Sequence, residues 1–291
     1  MVGFPSPSNY LLFNGDFVDR GPQDVDVILI LYALKLLFPK YIYFNRGNHE
    51  QKHMNQKYTF EKNIRSKYSP TVFELVEESF TYLPLCTLIN KKIFVVHGGL
   101  SSDTDLTLDQ LRKLNRKNVP KASKIVTNED KIISDMLWSD PTRSKIPKDG
   151  TKLSTVTTKL THTELYMKSS RGAGIVWGSA LTKQFLKNND LDLIVRSHEM
   201  IEEGYEEIHD GNVVTLFSAS NYCSKNTNKG AMMKVKHPYS RKNIEFRTYY
   251  ADLLISDSVD IHAECRMDTL QKLREVTNTP SPSLTPSVYS R

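Results

Sequence analysis

Five short apolar runs, each stopping abruptly at polar and charged residues, constrain this chain more than any other feature. YLLF at 10–13 leads into NGDFVDRG, YIYF at 41–44 into NRGNHE, IFVV at 93–96 into HGG, LDLIV at 191–195 into RSHE, and VVTLF at 213–217 into SASNY. Brief runs of β-branched and aromatic residues read as buried strands. Between the first two lies DVDVILILYALKLLF, with Ile28, Leu29, Tyr32 and Leu36 at helical spacing, acidic residues at its start and Pro39 after its end. That pattern predicts a mostly buried helix over 24–38, and with its flanking runs a βαβ unit. In α/β sheets ligands bind beyond the carboxyl ends of the strands. If the runs share one architecture, Asp16, Asp19, Asn48, His49, His97 and His198 converge there.

The rest of the chain is less informative. TVFELVEESFTY at 71–82 reads as an amphipathic helix, and the polar, basic stretch at 112–131 as a loop or short helix. Hydrophobic residues make up 39% of the 291, enough for a substantial core. No apolar run approaches the roughly 18 residues of a membrane span, and MVGFPSPSNY lacks the charged and apolar regions of a signal peptide. The three widely spaced cysteines fit neither a disulfide framework nor a thiolate zinc site, and suit a reducing compartment, the cytoplasm or alternatively the nucleus. The net charge is +6, and residues 141–170 hold six Lys/Arg against two acidic residues. This segment reads as a solvated loop; the alternative is a docking patch for an acidic partner. Few aromatics interleave with its charges, so no nucleic-acid partner is expected. The tail from 277 is rich in Ser, Thr and Pro and reads as disordered.

The converging groups are Asp, Asn and His without a thiolate. Mixed oxygen and imidazole ligands suit Mn, Fe or Zn rather than a calcium cage. Two such ions bridged by a carboxylate activate water and clamp an in-line displacement at phosphorus. Arginines suit the non-bridging phosphate oxygens because their planar fork binds bidentately, and Arg20, Arg46, Arg171 and Arg196 lie in or near the motifs.

GDFVDRG at 15–21, RGNHE at 46–50, HGG at 97–99, WSDP at 138–141, RSHE at 196–199 and SASNY at 218–222 together resemble the phosphoprotein phosphatase family of serine/threonine phosphatases. The likeness runs in order from about 10 to 236, and details such as FNGDFVDRG are most similar to the subgroup that carries EF-hands. The resemblance implies an α/β metallophosphatase-like layered β-sandwich of two mixed sheets flanked by helices. It implies a catalytic domain over 10–256, with an N-terminal tail at 1–9, an insertion at about 141–170 and a C-terminal segment at 257–291. It also implies hydrolysis of phosphoserine and phosphothreonine by direct attack of metal-activated water. By matching position, Asp16 bridges the metals, Asn48, His97 and His198 complete the second metal's shell, and His49 is the general acid held by Asp19. Arg20 and Arg171 grip phosphate, and Tyr222 lines the substrate side. Cys223 is then no nucleophile and reads as a partly buried thiol near the site. Mn is the expected ion, with Fe or Zn as alternatives, and the implied partners are phosphoprotein substrates and regulatory proteins.

The sequence departs from the family in two places. No GDxHG motif is found, and no Asp, Glu or His precedes Asp16. The domain therefore reads as incomplete at its N-terminus, lacking a strand and the first metal's own ligands. One ion instead of two is expected, with weak or absent turnover. The alternative is thus a phosphatase-like protein that binds phosphoproteins or partners without hydrolysing them. No calcium loop is complete either: Asp103-Thr104-Asp105 lacks the glycine and glutamate that such a loop needs. A phosphoesterase acting on nucleotides or nucleic acid is the remaining alternative, and RSHE together with SASNY speaks against it.

Overall fold

Strand β1 (Leu11–Asn14), helix α1 (Asp24–Leu37) and strand β2 (Ile42–Asn45) form the expected βαβ unit, with β1 and β2 parallel and in direct register from Leu11–Ile42 to Asn14–Asn45. The structure is a computed structural model and describes residues 2–117, 119, 124–143, 165–224 and 227–250. Asp24 and Asp26 sit in the first turn of α1, where carboxylates complement the helix dipole. The helix closes just before Pro39, which cannot continue it. Val25, Ile28 and Leu31 are buried, but Ile30 and Leu36 are 59% and 82% exposed. The expectation of a mostly buried helix is therefore corrected: one face packs and the other meets solvent.

Short helices α2 (Lys52–Lys57) and α3 (Phe60–Lys67) follow, then α4 (Pro70–Phe80), which matches the amphipathic helix expected at 71–82. Ser69 caps α4 by accepting from the Val72 amide, and Pro70 occupies the first turn, where its missing N–H costs nothing. Phe60, Ile64, Phe73 and Phe80 are sealed against Ile28 and Ile42, so this layer is a continuous apolar core under the βαβ unit.

A five-stranded mixed sheet carries three of the other runs, in the order β3 (Cys86–Ile89), β4 (Ile93–Val96), β8 (Leu193–Arg196), β10 (Val213–Leu216), β9 (Tyr205–Ile208). The central β4, β8 and β10 run parallel and the two outer strands antiparallel to them. The central strands are almost wholly apolar because both faces are covered; Arg196 and Thr215 are the exceptions. Phe94, Val96, Ile194 and Val213 join one core with Ile133, Met136, Trp177 and Phe185, while Ile93, Val95, Leu193, Val195 and Val214 join another with Met233 and Phe246. The first core is supplied by α6 (Asn128–Trp138), α7 (Ser179–Asn188) and β7 (Ile175–Trp177). The second is supplied by the antiparallel pair β11 (Gly230–Val235) and β12 (Ile244–Tyr249). The mixed sheets and flanking helices agree with the α/β class expected.

The stretch at 112–131 proves to be the end of α5 (Leu108–Lys113) and the start of α6, with residues 118 and 120–123 outside the described residues. The basic insertion is described only at its ends. Strand β5 (Asp140–Pro141) leads into it, and β6 (Tyr166–Lys168) pairs with β7 after it; residues 144–164 lie outside the described residues. The domain limit expected at 256/257 and the tail from 277 also lie outside them. Among the described residues Cys86 and Cys223 are free thiols, and no helix is long and apolar enough to cross a membrane.

Candidate metal centre

Two of the candidate segments, those after β1 and β8, leave their strands in left-handed turns. Asp16, Asp19, Arg20 and His198 have φ of 58°, 69°, 68° and 66°, a left-handed conformation that costs a non-glycine residue of order 1 kcal/mol or more. Gly15 and Gly47 make the first crossing possible: a Cβ on Gly15 would lie 2.5 Å from the Gly47 backbone. The turns after β1 and β2 are laced together by one carboxylate, Glu50, fully buried between them. It accepts from the amides of Asp16, Phe17 and Gly47 at 2.8, 2.7 and 2.7 Å. The sequence reading left Glu50 without a role; the motif RGNHE was the signal.

Among the described residues Asp16, His97 and His198 are the one group of three or more His, Cys, Asp or Glu able to hold a metal ion together. His97 is sealed from solvent, while the Asp16 side chain is 29% exposed. The His97 Nδ1–H donates to the Asn14 carbonyl at 2.7 Å, which leaves the lone pair of a neutral ring on Nε2. That nitrogen faces two further acceptors, Asn48 Oδ1 at 3.0 Å and Asp16 Oδ1 at 3.2 Å. His198 Nδ1 lies 2.9 Å from the same Asn48 oxygen, and its Nε2 is buried without a partner. Burial, with the neighbouring His97 and Arg196, holds the His198 ring well below the usual imidazole range, in the neutral form that ligates metals.

Lone pairs that face one another repel unless a cation lies among them. Ligands about 2.1 Å from an ion, at right angles to it, are about 3.0 Å apart. The spacing of 2.9 to 3.2 Å among Asp16, Asn48, His97 and His198 is compatible with neighbouring ligands on one divalent ion. All four residues named from the sequence as metal ligands are thus brought together.

Beside them stands a second arrangement. His49 Nδ1–H donates to Asp19 Oδ2 at 2.8 Å, and Asp19 also accepts from Asn55 Nδ2 and the Phe60 amide, each at 3.0 Å. Burial tends to lower the His49 pKa, but Asp16, Asp19 and Glu50 outweigh it and raise it. The His49 backbone donates to Asp16 Oδ1 at 3.0 Å, which ties this pair to the ligand cluster.

The structure divides the four arginines of the motifs. Arg46 and Arg196 are buried and committed: Arg46 Nε donates to the Glu50 carbonyl, and Arg196 to the Gly98 and Ser139 carbonyls, Asp140 and Glu199. Arg20 and Arg171 are exposed and more available. Arg20 stacks on the Tyr58 ring with its guanidinium 4.1 Å from the centroid, and Arg171 pairs with Asp140. Tyr222 packs edge-on against Phe217, and its hydroxyl, pushed up to about 12 chiefly by burial, feels both Arg20 and Asp16. Cys223 is exposed in a left-handed turn, which corrects the expectation of a partly buried thiol.

Comparison with known proteins identifies the family. The calcineurin-like phosphoesterase family matches residues 3–202. The chain is 44% identical over 242 residues to serine/threonine-protein phosphatase 5 of Arabidopsis thaliana and 42% identical over 234 residues to that of Homo sapiens, covering 83% and 80% of this chain. It spans 40% and 42% of those relatives, about two fifths of their length. A solved protein serine/threonine phosphatase from Saccharomyces cerevisiae, with similarity to human phosphatase PP5, superposes with a TM-score of 0.70 at 34% identity, over 85% of this chain and 72% of that one. These names are phosphatase 5 and T, and none of them speaks for the EF-hand subgroup expected from the sequence. The chain belongs to the calcineurin-like phosphoesterase family and, within it, is homologous to the serine/threonine phosphatases of the 5/T type.

Proposed function

We propose that this chain is a metal-dependent protein serine/threonine phosphatase. The observation that carries the reading is the meeting of Asp16 Oδ1, Asn48 Oδ1 and His97 Nε2 at 3.0 and 3.2 Å, beside the His49–Asp19 pair. Asp16, Asn48, His97 and His198 hold a divalent cation, Mn by preference and Fe or Zn as alternatives. Bound there, the cation supplies Lewis acidity for the phosphoryl group and for attacking water. His49 keeps its Nδ1–H on Asp19 and presents Nε2–H to the leaving serine or threonine oxygen. Asp19 orients the ring and favours its charged form. Arg20 and Arg171 bind the phosphoryl oxygens, with Tyr222 on the substrate side. The substrates are phosphoproteins, as the names of the relatives suggest, and regulatory proteins are further partners. The described thiols are unpaired, which fits work in the cytoplasm or nucleus.

The test is hydrolysis of a phosphoserine peptide with added Mn, alongside Asp16→Asn and His198→Ala. Each substitution is expected to cost on the order of 100-fold in kcat/KM or more, as loss of a metal ligand does. Undiminished turnover in both variants removes the assigned roles. One observation favours the second reading, a phosphoprotein binder with little turnover: the described residues gather a single cation cluster. Retained phosphopeptide affinity without measurable hydrolysis selects that reading.

A further inference from the structure

The last residues of β1 and β2, Asn14 and Asn45, are register partners and belong to no ligand set. Their side chains form a chain of hydrogen bonds directly beneath the metal centre. Thr87 Oγ1 donates to Asn45 Oδ1 at 2.7 Å; Asn45 Nδ2 donates to Asn14 Oδ1 at 2.9 Å and to the Val95 carbonyl at 3.2 Å. Asn14 Nδ2 donates to the Val96 carbonyl at 2.8 Å and to Ser197 Oγ at 3.0 Å. Both hydrogens of each NH2 group are used and each amide oxygen accepts, so the orientation of both amides is fixed by their partners.

These bonds cross between sheets. The β1–β2 pair shares no strand ladder with the five-stranded sheet that holds β4 and β8. Asp16 leaves the first sheet, whereas His97 and His198 leave the second. Asn14 touches all three segments: it lies two residues before Asp16, its carbonyl accepts the His97 Nδ1–H, and its amide reaches Ser197, next to His198. The Ser197 amide in turn donates to the His97 carbonyl at 3.0 Å. Asn45 is fully buried. Cohesion alone does not call for amides here, since leucines fill similar space and buried amides are costly unless every hydrogen bond is made. What amides add is direction.

We propose that Asn14 and Asn45 are positioning residues of the metal centre, a buried amide clamp that sets the distance from Asp16 to His97 and His198. The proposal rests on the metal site proposed above, and the experiment separates the two. Mn2+ affinity of the full chain is measured by titration calorimetry for wild type, Asn14→Leu, Asn45→Leu and Thr87→Val, with thermal unfolding in chelator as the check on folding. The expected result is Mn2+ binding about 10- to 100-fold weaker in both leucine variants, the usual range for losing a group that orients ligands, and a smaller loss in Thr87→Val, which frees Asn45. Wild-type affinity in the folded leucine variants overturns the clamp while leaving the metal site intact. If the leucine variants do not fold, Thr87→Val decides: weaker Mn2+ binding supports the clamp and unchanged binding overturns it. A wild-type chain that binds no Mn2+ overturns the metal site, and the clamp with it.

Discussion

Asp19 and Glu77 are both buried carboxyls, and they differ in what meets them. Asp19 accepts from three donors, His49, Asn55 and the Phe60 amide, whereas Glu77, on α4, leaves Oε1 without a partner. Burial pushes the Glu77 carboxyl from 4.5 up to about 7, against the pull of Lys52 and Arg46. A folded pKa above the unfolded one means that the folded state holds the extra proton. That stabilisation is complete below about pH 4.5 and is lost as the pH rises through 7. The span is worth about 3 kcal/mol at 1.36 kcal/mol per pH unit. Urea unfolding at pH 5 and pH 8 is expected to show Glu77→Gln gaining on wild type by roughly that amount at the higher pH; parallel behaviour at both pH values removes the assignment. Asp19 is tested through leaving groups. Asp19→Asn removes a charge that raises the His49 pKa and so depopulates the protonated ring, and turnover of a phosphoserine peptide is expected to fall on the order of 100-fold. Hydrolysis of p-nitrophenyl phosphate, whose leaving oxygen needs no proton, is expected to change little. Equal loss on both substrates reduces Asp19 to a structural role.

The loop after β4 depends on elements far away in sequence. The Gly98 amide donates to the Met136 carbonyl of α6 at 2.8 Å, and a Cβ on Gly99 would sit 2.0 Å from the Trp177 ring of β7. Trp177 cannot step aside: it is fully buried and its Nε1 donates to Thr182 Oγ1 at 3.0 Å. Gly99→Ala is therefore expected to cost about 1–3 kcal/mol by overpacking, whereas Gly21→Ala, with nothing within 4 Å of its Cβ, is expected to be near neutral. Chemical denaturation of the two variants measures the contrast, and equal stability removes the Trp177 wedge. Such contacts explain what was legible in the sequence. The strands at 11–14, 42–45, 93–96, 193–196 and 213–216 were visible because apolar runs ended in polar residues, and the ligands because they sit at those ends. Strands β5, β6 and β7 have two or three residues each, too few for a period, and the acidic YEEI of β9 does not read as apolar. Asn14 and Asn45 look like loop residues, because their meaning lies in carbonyls some 50 to 80 positions away. The exposure of Leu36 was hidden for the opposite reason: helical spacing shows which residues share a face, not whether anything covers it.

The four residues proposed as ligands come from four loops on two separate sheets, so they meet only in the folded chain. An unfolded chain holds Asp16, Asn48, His97 and His198 far apart, with no common coordination sphere. Metal binding to this site is therefore folding free energy of the whole unit. For a ligand that binds the native state alone, the gain is about 2.7 kcal/mol at a free concentration 100 times Kd. In a domain of this size each kcal/mol raises the melting temperature by about 2–4 °C, which puts the expected rise near 5–10 °C on going from chelator to saturating Mn2+. His97→Ala should abolish that rise, and so should His198→Ala, although the two histidines leave different strands. Mg2+, which strips off its water reluctantly and favours oxygen over imidazole, should reproduce little of it. Thermal unfolding followed by circular dichroism, in chelator, Mg2+ and Mn2+, reads all of these at once. An equal rise in both histidine variants would place the ion elsewhere on the molecule, and the four strand ends would then have met for packing alone.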